Sequence, residues 1–372
     1  MTPNADTHEI PLATVRTFFG GLAGLQEDES GIVPWRLDPK LEPFYHPELL
    51  TRALMTAGVH LKFLSQCTSF RLEYDVAACR EGIPFQFGLR PLPEFTSEDA
   101  EMDVLVNGHK FQPEISSVGE QFTLSLNGLS SGTKEIGIYF PTGGMIRVRR
   151  LVLMGDSVAT RAPSQPRWIT YGSSITHCRR AEGPTSTWPA IVAKRKGWDA
   201  LNLGFGGQCK FDPVVARVIA SMPADRISLC LGINTYSGFF HLRTWVPAVE
   251  GFIMTVRDGH PKTPLLIISP ILSVPWEKCD EPPATIGLQT MRRSLNEIVA
   301  KFSAAGDENI HYLDGLKIIG PGDEHTMPDR LHPDADGIKL MAERFLKFSP
   351  TVWRDPLLPP PSAVIRSILT PG

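Results

Sequence analysis

The sequence predicts an all-β sandwich domain followed by an α/β domain with a parallel sheet. Between about residues 60 and 155, apolar and polar residues alternate, which is the period of strands that bury one face. Beyond residue 161, short apolar runs are separated by segments of helical period, as in a parallel sheet that is covered on both faces. The length of 372 residues also exceeds that of a usual single domain, so two domains are expected.

The first half contains alternating runs that end in turn signals. Apolar residues occupy every second position in 70–76, 122–126 and 136–140. Asn107-Gly108 and Asn127-Gly128 lie at the ends of such runs and supply the positive φ that tight hairpin turns require. Because short strands at this spacing are typical of a sandwich, residues 1–160 are predicted to form the β-sandwich domain.

The second half contains short buried runs that are candidates for parallel strands. They are Trp168 to Tyr171, Ala200 to Leu203, Ile227 to Leu231, Leu265 to Ile268 and Ile310 to Leu313. Helical segments alternate with them, and in one of these the apolar residues from Leu288 to Phe302 form a single stripe. Residues 161–350 are therefore predicted to be an α/β domain, and the proline-rich residues 351–372 an extended tail.

The charge and the apolar runs exclude two classes of partner. Lys and Arg total 37 against 40 Asp and Glu, a net charge of −3, so the clustered positive charge of a nucleic-acid binder is lacking. The longest apolar stretch, Leu265 to Val274, is interrupted by serine and proline and falls short of the roughly 20 residues that span a bilayer. No nucleic-acid or membrane partner is therefore expected.

The N-terminus and the cysteines indicate the compartment. The first residues carry neither a basic start nor an apolar signal core, so a cytoplasmic protein is expected. The six cysteines form no Cys-x-x-Cys pair, which favours reduced thiols over a disulfide framework. Cys178 and Cys209 are expected to be buried as small apolar groups.

Four polar segments follow strand candidates or lead into a helix. They are Tyr171-Gly172-Ser173-Ser174-Ile175-Thr176, Asn202-Leu203-Gly204-Phe205-Gly206-Gly207, Gly232-Ile233-Asn234-Thr235 and Asp329-Arg330-Leu331-His332-Pro333. In an open parallel sheet, ligands bind at the carboxyl ends of the strands. A site is therefore expected where these segments meet.

The residue types in these segments fit nucleophilic catalysis by serine. A serine hydroxyl is a weak nucleophile that needs a general base, and the base must be oriented by a third group. Ser174 and His332 supply the first two, and Asp329 can place its carboxylate against Nδ1 of that imidazole. The oxyanion needs donors aimed at it, for which the candidates are the backbone N–H groups of Ser174 and Gly207 and the side-chain amide of Asn234.

In this order, the four segments resemble the conserved blocks of the SGNH (GDSL) hydrolase family: Gly-Asp-Ser, Asn-x-x-x-x-Gly, Gly-x-Asn-Asp and Asp-x-x-His-Pro. The resemblance covers roughly residues 165–348. It implies a flavodoxin-like three-layer α/β/α fold and serine-dependent acyl transfer without a metal or cofactor. Carried over by position, it makes Ser174 the nucleophile, His332 the base, Asp329 the acid, and Gly207 and Asn234 oxyanion residues. The first half is similar to that of members with an N-terminal sandwich, including GDSL acyltransferases of aromatic polyketide (tetracycline-type) tailoring.

Two positions depart from the family pattern. The Asp before the nucleophile is Ser173, and the Asp after the third-block asparagine is Thr235. Both lie outside the triad and oxyanion set, so activity is still expected, but the analogy does not extend to the substrate. Ser173 is an alternative nucleophile, but the register of the segment with Ile175 and Thr176 favours Ser174.

Other interpretations explain fewer of these residues. Asp323, His325, Asp329 and His332 have the chemistry of a metal cluster, but that leaves Ser174 and Asn234 without a role. An α/β-hydrolase needs glycine two residues after its serine, where this chain has Thr176. A glycan-binding sandwich with a vestigial catalytic domain is a further hypothesis. His177 lies near the nucleophile in sequence and is a possible substrate contact.

We therefore expect an esterase or acyltransferase that acts on a small-molecule ester through an acyl-Ser174 intermediate. Hydrolysis and transfer share every residue named above and differ in whether water or an acceptor alcohol reaches the acyl-enzyme. Aromatic side chains just after strand ends are predicted to form an apolar rim that contacts the substrate; they are Tyr236, Phe239, Phe240 and Trp276. The oligomeric state stays open.

Overall fold

The computed structural model of the chain describes residues 7–77, 101–118, 121–155, 158–236, 240–277 and 286–352. Two antiparallel sheets form its first part and a parallel sheet with helices on both faces its second part. Within these residues, no helix is both long and apolar enough to cross a membrane.

The first part is a β-sandwich, as the sequence predicts. Its strands are β1 (Thr7–Ile10), β2 (Phe19–Gly20), β3 (Gly24–Asp28), β4 (Gly31–Trp35), β5 (His60–Ser65), β6 (Ser69–Ala77), β7 (Asp103–Val106), β8 (His109–Phe111), β9 (Glu114–Val118), β10 (Gln121–Leu126), β11 (Lys134–Tyr139), β12 (Met145–Met154) and β13 (Ala159–Arg161). One sheet has the order β3-β4-β12-β6-β10-β9, and β1 also pairs with β12. The other has the order β13-β5-β11-β7-β8, and β2 also pairs with β5.

The alternating pattern explains how the two sheets pack. In β6, Phe70, Leu72 and Tyr74 are fully buried, whereas Arg71 between them is exposed. Phe70 meets Phe63 of the other sheet edge to face, with ring centroids 6.5 Å apart. Burying such a side chain contributes about 1.5–3 kcal/mol, so this period-two face drives the association of the sheets.

Of the two turn signals, one is confirmed and one is wrong. Asn107 and Gly108 have φ of 48° and 79° and join β7 to β8 in a tight hairpin. Gly128 also has a positive φ, but the next strand, β11, pairs with β5 and β7 in the other sheet. Because β10 already has β6 and β9 on its two edges, no edge is left there for a hairpin partner.

The parallel sheet confirms the strand predictions of the second half. Its strands are β14 (Arg167–Gly172), β15 (Asp199–Gly204), β16 (Arg226–Cys230), β17 (Leu265–Ile268) and β18 (Ile310–Leu313). Their order is β15-β14-β16-β17-β18, and every neighbouring pair is parallel. The chain passes from β14 to β15 on one side of β14, and then from β15 to β16 on the other side of β14. Such a switch point opens a crevice at the carboxyl end of the sheet.

Helices cover both faces of the parallel sheet. In the described part of the chain, the helices are α1 (Leu12–Val15), α2 (Pro47–Leu54), α3 (Ser174–His177), α4 (Trp188–Lys196), α5 (Pro213–Ser221), α6 (Leu242–Gly259), α7 (Leu288–Ala304) and α8 (Ala335–Val352). Short 3-10 turns lie at Arg16–Phe18, Pro39–Phe44, Pro184–Ser186, Ile233–Thr235, Val274–Trp276, Gly315–Lys317 and Glu324–Thr326. Helices α5, α6 and α7 bury their apolar stripes on one face, and α4 and α8 pack against Trp168 on the other.

One segment of the first half packs on the second. Leu37, Leu49 and Ala53, the last two on α2, are fully buried in the same apolar cluster as Leu203 and Phe205 at the end of β15. This segment lies between β4 and β5 in sequence. The front part of the chain therefore reaches the carboxyl edge of the parallel sheet.

Candidate active site

Strand β14, which lies between β15 and β16, delivers a serine pair to the carboxyl edge of the sheet. Ser173 is buried, and its Oγ accepts the Ile175 backbone N–H at 3.2 Å, so it caps the first turn of α3. Ser174 is the next residue and the first of α3, where its backbone N–H has no acceptor within the helix. The strand-turn-helix connection thus leaves Ser174, and not Ser173, facing the crevice.

Three of the predicted site residues form one chain of hydrogen bonds. The Oγ of Ser174 lies 2.8 Å from Nε2 of His332, and Nδ1 of His332 lies 2.8 Å from Oδ2 of Asp329. Because the carboxylate only accepts, the imidazole proton is assigned to Nδ1 and the lone pair to Nε2. This arrangement can take the proton of the Ser174 hydroxyl.

Asp329 is fixed by four donors. Its Oδ1 accepts the backbone N–H groups of His332 and Leu331 at 2.7 and 3.0 Å. Its Oδ2 is shared between the His332 ring and Arg180, whose guanidinium lies 2.6 Å away. Desolvation opposes ionisation, but the hydrogen bonds from His332 and Leu331 prevail and hold the pKa of Asp329 well below its usual range. The carboxylate therefore stays ionised at neutral pH.

The loop that carries Asp329 and His332 is held by a hydrogen bond from the segment that follows β17. The buried hydroxyl of Ser273 donates to the Arg330 carbonyl at 3.0 Å. The segment containing Ser273 is held in turn by Arg292, which pairs with Glu277 at 2.6 and 2.8 Å. A bidentate, largely buried pair of this kind fixes position more than it adds stability.

The predicted oxyanion residues lie on two loops that contact each other, and one of these loops lies beside Ser174. A Cβ added to Gly206 would lie 3.7 Å from the Cβ of Ser174, which places that loop next to the nucleophile. Gly207 has φ of 74°, a left-handed conformation that favours glycine, and among the described residues its N–H has no hydrogen-bond partner. The Oδ1 of Asn234 accepts the Cys209 backbone N–H at 3.0 Å, which leaves its NH₂ group as the donor for a ligand.

The two residues that replace the family's carboxylates have structural partners. Ser173 caps α3, as described above. The buried Thr235 donates to the Gly232 carbonyl at 2.6 Å and accepts the indole N–H of Trp245 at 2.8 Å. Both loops are therefore braced by hydroxyl groups in place of carboxylates.

An open cleft with an empty volume of about 830 Å³ lies at the nucleophile. It is lined by Ser174, Ile175, Cys178, Arg179, Arg180, His332, Pro333 and Ile338. Its walls are therefore mainly apolar next to the serine and cationic at the two arginines. Sequence reasoning missed Arg180, although its position just after the serine segment is a usable signal.

The predicted aromatic rim is only partly described. Tyr236 and Trp276 stack on each other with ring centroids 4.6 Å apart, and Phe240 packs edge to face on Phe211 at 6.0 Å. Phe239 lies outside the described residues. Tyr236, Phe240 and Trp276 are not among the residues that line the cleft at Ser174, so their contact with a substrate stays a prediction.

The residues of the alternative metal cluster do not converge on one point. Asp323 forms an ion pair with Arg344, Asp329 is paired with His332, and His325 is exposed. Among the described residues, no three His, Cys, Asp or Glu side chains lie together as a metal site.

Three other polar groups near the serine are buried. Cys178 and Cys209 are buried as expected, and burial raises the pKa of Cys178 to about 12. His177 is fully buried and bonds through Nε2 to the Thr142 carbonyl at 2.8 Å, while burial lowers its pKa well below the usual value. His177 thus joins α3 to the sandwich and does not face the cleft.

Comparison with known proteins finds one family and several similar structures. Residues 165–348 match the GDSL-like lipase/acylhydrolase family. The salicylyl-acyltransferase SsfX3 from a tetracycline biosynthetic pathway is 28% identical, with a TM-score of 0.77 over 88% of this chain and 92% of that one. A putative GDSL-like lipase from Bacteroides ovatus is 18% identical, with a TM-score of 0.72 over 93% of this chain and 98% of that one. A family two carbohydrate esterase from Cellvibrio japonicus is 14% identical, with a TM-score of 0.63 over 94% of this chain and 98% of that one. A search of curated proteins found no match.

Proposed function

Because the chain belongs, through residues 165–348, to the GDSL-like lipase/acylhydrolase family, we propose that this SGNH-type ester hydrolase or acyltransferase works through an acyl-Ser174 intermediate. The observation that carries the proposal is the continuous chain of two 2.8 Å contacts from Ser174 through His332 to Asp329. The substrate class is a small-molecule ester, which suits a cleft that is mainly apolar beside the serine.

Acylation uses these three side chains and the oxyanion donors. His332 takes the proton of the Ser174 hydroxyl while Oγ forms a bond to the ester carbonyl carbon. The negative charge that develops on the carbonyl oxygen is met by the N–H groups of Ser174 and Gly207 and the amide of Asn234. His332 then gives its proton to the departing alkoxide, the C–O bond of the ester breaks, and Asp329 stabilises the imidazolium throughout.

Deacylation repeats the steps with a second nucleophile. His332 removes a proton from a hydroxyl compound, whose oxygen attacks the acyl-Ser174 carbonyl, and the proton returns to Ser174 as the serine ester breaks. Water gives a free acid, and an acceptor alcohol gives a new ester. The two reactions therefore differ only in what occupies the cleft at this stage.

Acyl transfer is the second candidate, and one observation favours it. The similarity to the salicylyl-acyltransferase extends over 88% of this chain and therefore includes the sandwich. Incubation with an activated acyl ester and a co-added alcohol separates the two reactions, because transfer yields the new ester and hydrolysis yields only the acid. An aromatic alcohol and an aliphatic alcohol of similar pKa also test whether the stacked pair Tyr236 and Trp276 forms the proposed rim.

The glycan-binding alternative requires a site that no longer reacts. The assembled hydrogen-bond chain at Ser174 favours catalysis instead. A fluorophosphonate probe, which reacts only with an activated serine, separates these hypotheses.

The serine pair offers a matched test of the mechanism. Ser174→Ala is expected to lose nearly all turnover of a chromogenic short-chain ester. Ser173→Ala removes only the cap of α3 and is expected to cost about 1 kcal/mol of stability while it retains activity. Full activity in Ser174→Ala, or loss confined to Ser173→Ala, contradicts the proposed nucleophile.

A further inference from the structure

Helix α2 brings the front part of the chain against the oxyanion loop, residues 204–208. Leu49 and Ala53 bury the apolar face of α2 in the cluster that contains Phe205 and Cys209. The helix begins after His46, whose ring accepts the Glu48 backbone N–H at 3.3 Å, and it continues to Leu54. The packing fixes which side chains of α2 face the loop.

Two side chains of α2, one turn apart, hold this loop. The carboxylate of Glu48 accepts the side-chain N–H of Gln208 at 2.7 Å. The guanidinium Nε of Arg52 donates to the Gly206 carbonyl at 3.1 Å. Since residues i and i+4 lie on the same helix face, Glu48 and Arg52 contact the loop on either side of Gly207.

The carbonyl that Arg52 contacts belongs to the peptide that ends in the Gly207 N–H. In a planar trans peptide, the C=O and N–H bonds point in opposite directions. A guanidinium at the Gly206 oxygen therefore fixes the Gly207 N–H on the other side of the peptide plane. Because the donor is charged, it also polarises the peptide and makes this N–H a stronger donor.

Arg52 and the nucleophile both lie close to this peptide. A Cβ at Gly206 would be 3.7 Å from the Nε of Arg52 and 3.7 Å from the Cβ of Ser174. Among the described residues the Gly207 N–H has no hydrogen-bond partner, so it is available to a ligand at Ser174. Arg52 contacts the Gly206 carbonyl and is not among the residues that line the cleft at Ser174, so it acts through the loop.

A second, fully buried arginine fixes α2 to the sheet. Arg36 donates to the carbonyls of Asn202 and Gly204 at 2.9 and 2.7 Å, at the end of β15. It also donates to the carbonyls of Arg52 and Met55 at the end of α2. Arg36 therefore joins the C-terminal end of α2 to β15, the strand that leads into the oxyanion loop.

We propose that Arg52 is a positioning residue of the oxyanion hole, acting through the Gly206–Gly207 peptide. The inference rests on the proposed function, because it assigns the Gly207 N–H to the oxyanion. It also gives the N-terminal half a catalytic purpose, since the residue that orients this donor comes from a helix inserted between two sandwich strands.

The test compares Arg52→Ala and Arg52→Lys with the wild-type enzyme. Arg16→Ala is the matched control, because Arg16 is an exposed arginine of the same half whose side chain is 61% accessible. For each variant, kcat and KM for a chromogenic ester are measured together with the inhibition constant of a boronic acid. The tetrahedral boronate on Ser174 places an oxygen where the oxyanion develops.

Arg52→Ala is expected to lower kcat by about 10- to 100-fold, less than the loss of a direct oxyanion donor. Boronate affinity should fall in parallel, while KM stays within about threefold, because the interaction acts on the transition state. Arg52→Lys should recover part of both losses, since an ammonium can still donate to the Gly206 carbonyl. Arg16→Ala should match the wild type.

Equal kcat and boronate affinity in folded Arg52→Ala and wild type overturn the inference, as does loss of kcat without loss of boronate affinity. If Arg52→Ala does not fold, Arg52→Gln replaces it, with an expected loss of about tenfold in both quantities. Wild-type values in folded Arg52→Gln are then the contradicting result. Failure of the proposed function is distinct, because the wild type itself then neither cleaves the ester nor binds the boronate at Ser174.

Discussion

Asp329→Asn is expected to abolish most turnover by moving one proton. In the native site, Oδ1 accepts two backbone N–H groups at 2.7 and 3.0 Å, and Oδ2 accepts Nδ1–H of His332 at 2.8 Å. An asparagine keeps its carbonyl oxygen on the two backbone donors, because that orientation satisfies both. Its NH₂ group then faces Nδ1, so the imidazole proton moves to Nε2. The nitrogen next to Ser174 becomes a donor and no longer accepts the hydroxyl proton.

The size of this effect follows from the loss of the base. A triad with the wrong tautomer loses on the order of 10⁴ in kcat, which equals about 5.4 kcal/mol at 1.36 kcal/mol per tenfold. The fold should be little affected, because the Asp329 side chain is 35% exposed and its ion pair with Arg180 is of the kind that contributes roughly 0–1 kcal/mol. The variant is therefore expected to be folded and inactive.

Steady-state hydrolysis of a chromogenic ester at neutral pH measures this prediction, with thermal unfolding as the check on folding. Asp336→Asn is the control, because Asp336 lies on α8 with its side chain 88% exposed. The control should keep wild-type kcat. A folded Asp329→Asn enzyme whose kcat lies within about tenfold of the wild type refutes the reasoning from tautomers.

Three further perturbations test other contacts. Asn234→Ala is expected to lower kcat about 10²- to 10³-fold and to lower the melting temperature slightly, because the Cys209 N–H loses its acceptor; undiminished turnover contradicts the role of Asn234 as an oxyanion donor. Gly204→Ala is expected to lower both melting temperature and turnover, because a Cβ there would lie 2.2 Å from the backbone of α3; wild-type values of both contradict that contact. Asp323→Asn is expected to destabilise the fold by about 1–3 kcal/mol at neutral pH, because its hydrogen bond with Arg344 lowers the pKa of the Asp323 carboxyl. A carboxyl whose pKa is lowered in the native state stabilises the folded protein at pH values above its unfolded pKa of about 4. The difference in unfolding free energy between wild type and Asp323→Asn, measured by chemical denaturation, should therefore persist from about pH 7 to 5 and shrink below about pH 4. A difference that does not change with pH contradicts this role of Asp323.

The periodicity of apolar residues is sufficient to predict both kinds of sheet. The parallel strands lie within two residues of their predicted bounds, because a strand that is covered on both faces is apolar along most of its length. Which strand pairs with which is harder to predict from the sequence. Gly128 has the positive φ that Asn127-Gly128 indicates, but a dipeptide fixes only its own φ and ψ, and the pairing of β11 depends on which edges are already occupied.

The candidate site likewise contains residues that the sequence predicts and residues that it does not. Ser174, Asp329 and His332 are predictable because they follow elements whose ends meet at one edge of the sheet. Arg52 and Arg36 are not, because each acts over more than 150 positions on backbone carbonyls, which carry no sequence signature. Ser173 and Thr235 show a related limit, since a motif reveals that a carboxylate is missing but not which hydroxyl contacts replace it.

The central claim is that Ser174 is an activated nucleophile, and covalent labelling tests it most directly. Treatment with a fluorophosphonate followed by mass spectrometry of the digested protein locates the modified residue. We expect a single adduct on Ser174 that abolishes ester turnover, is absent in Ser174→Ala and is retained in Ser173→Ala. An adduct on another residue, or undiminished turnover in the fully labelled enzyme, contradicts the claim.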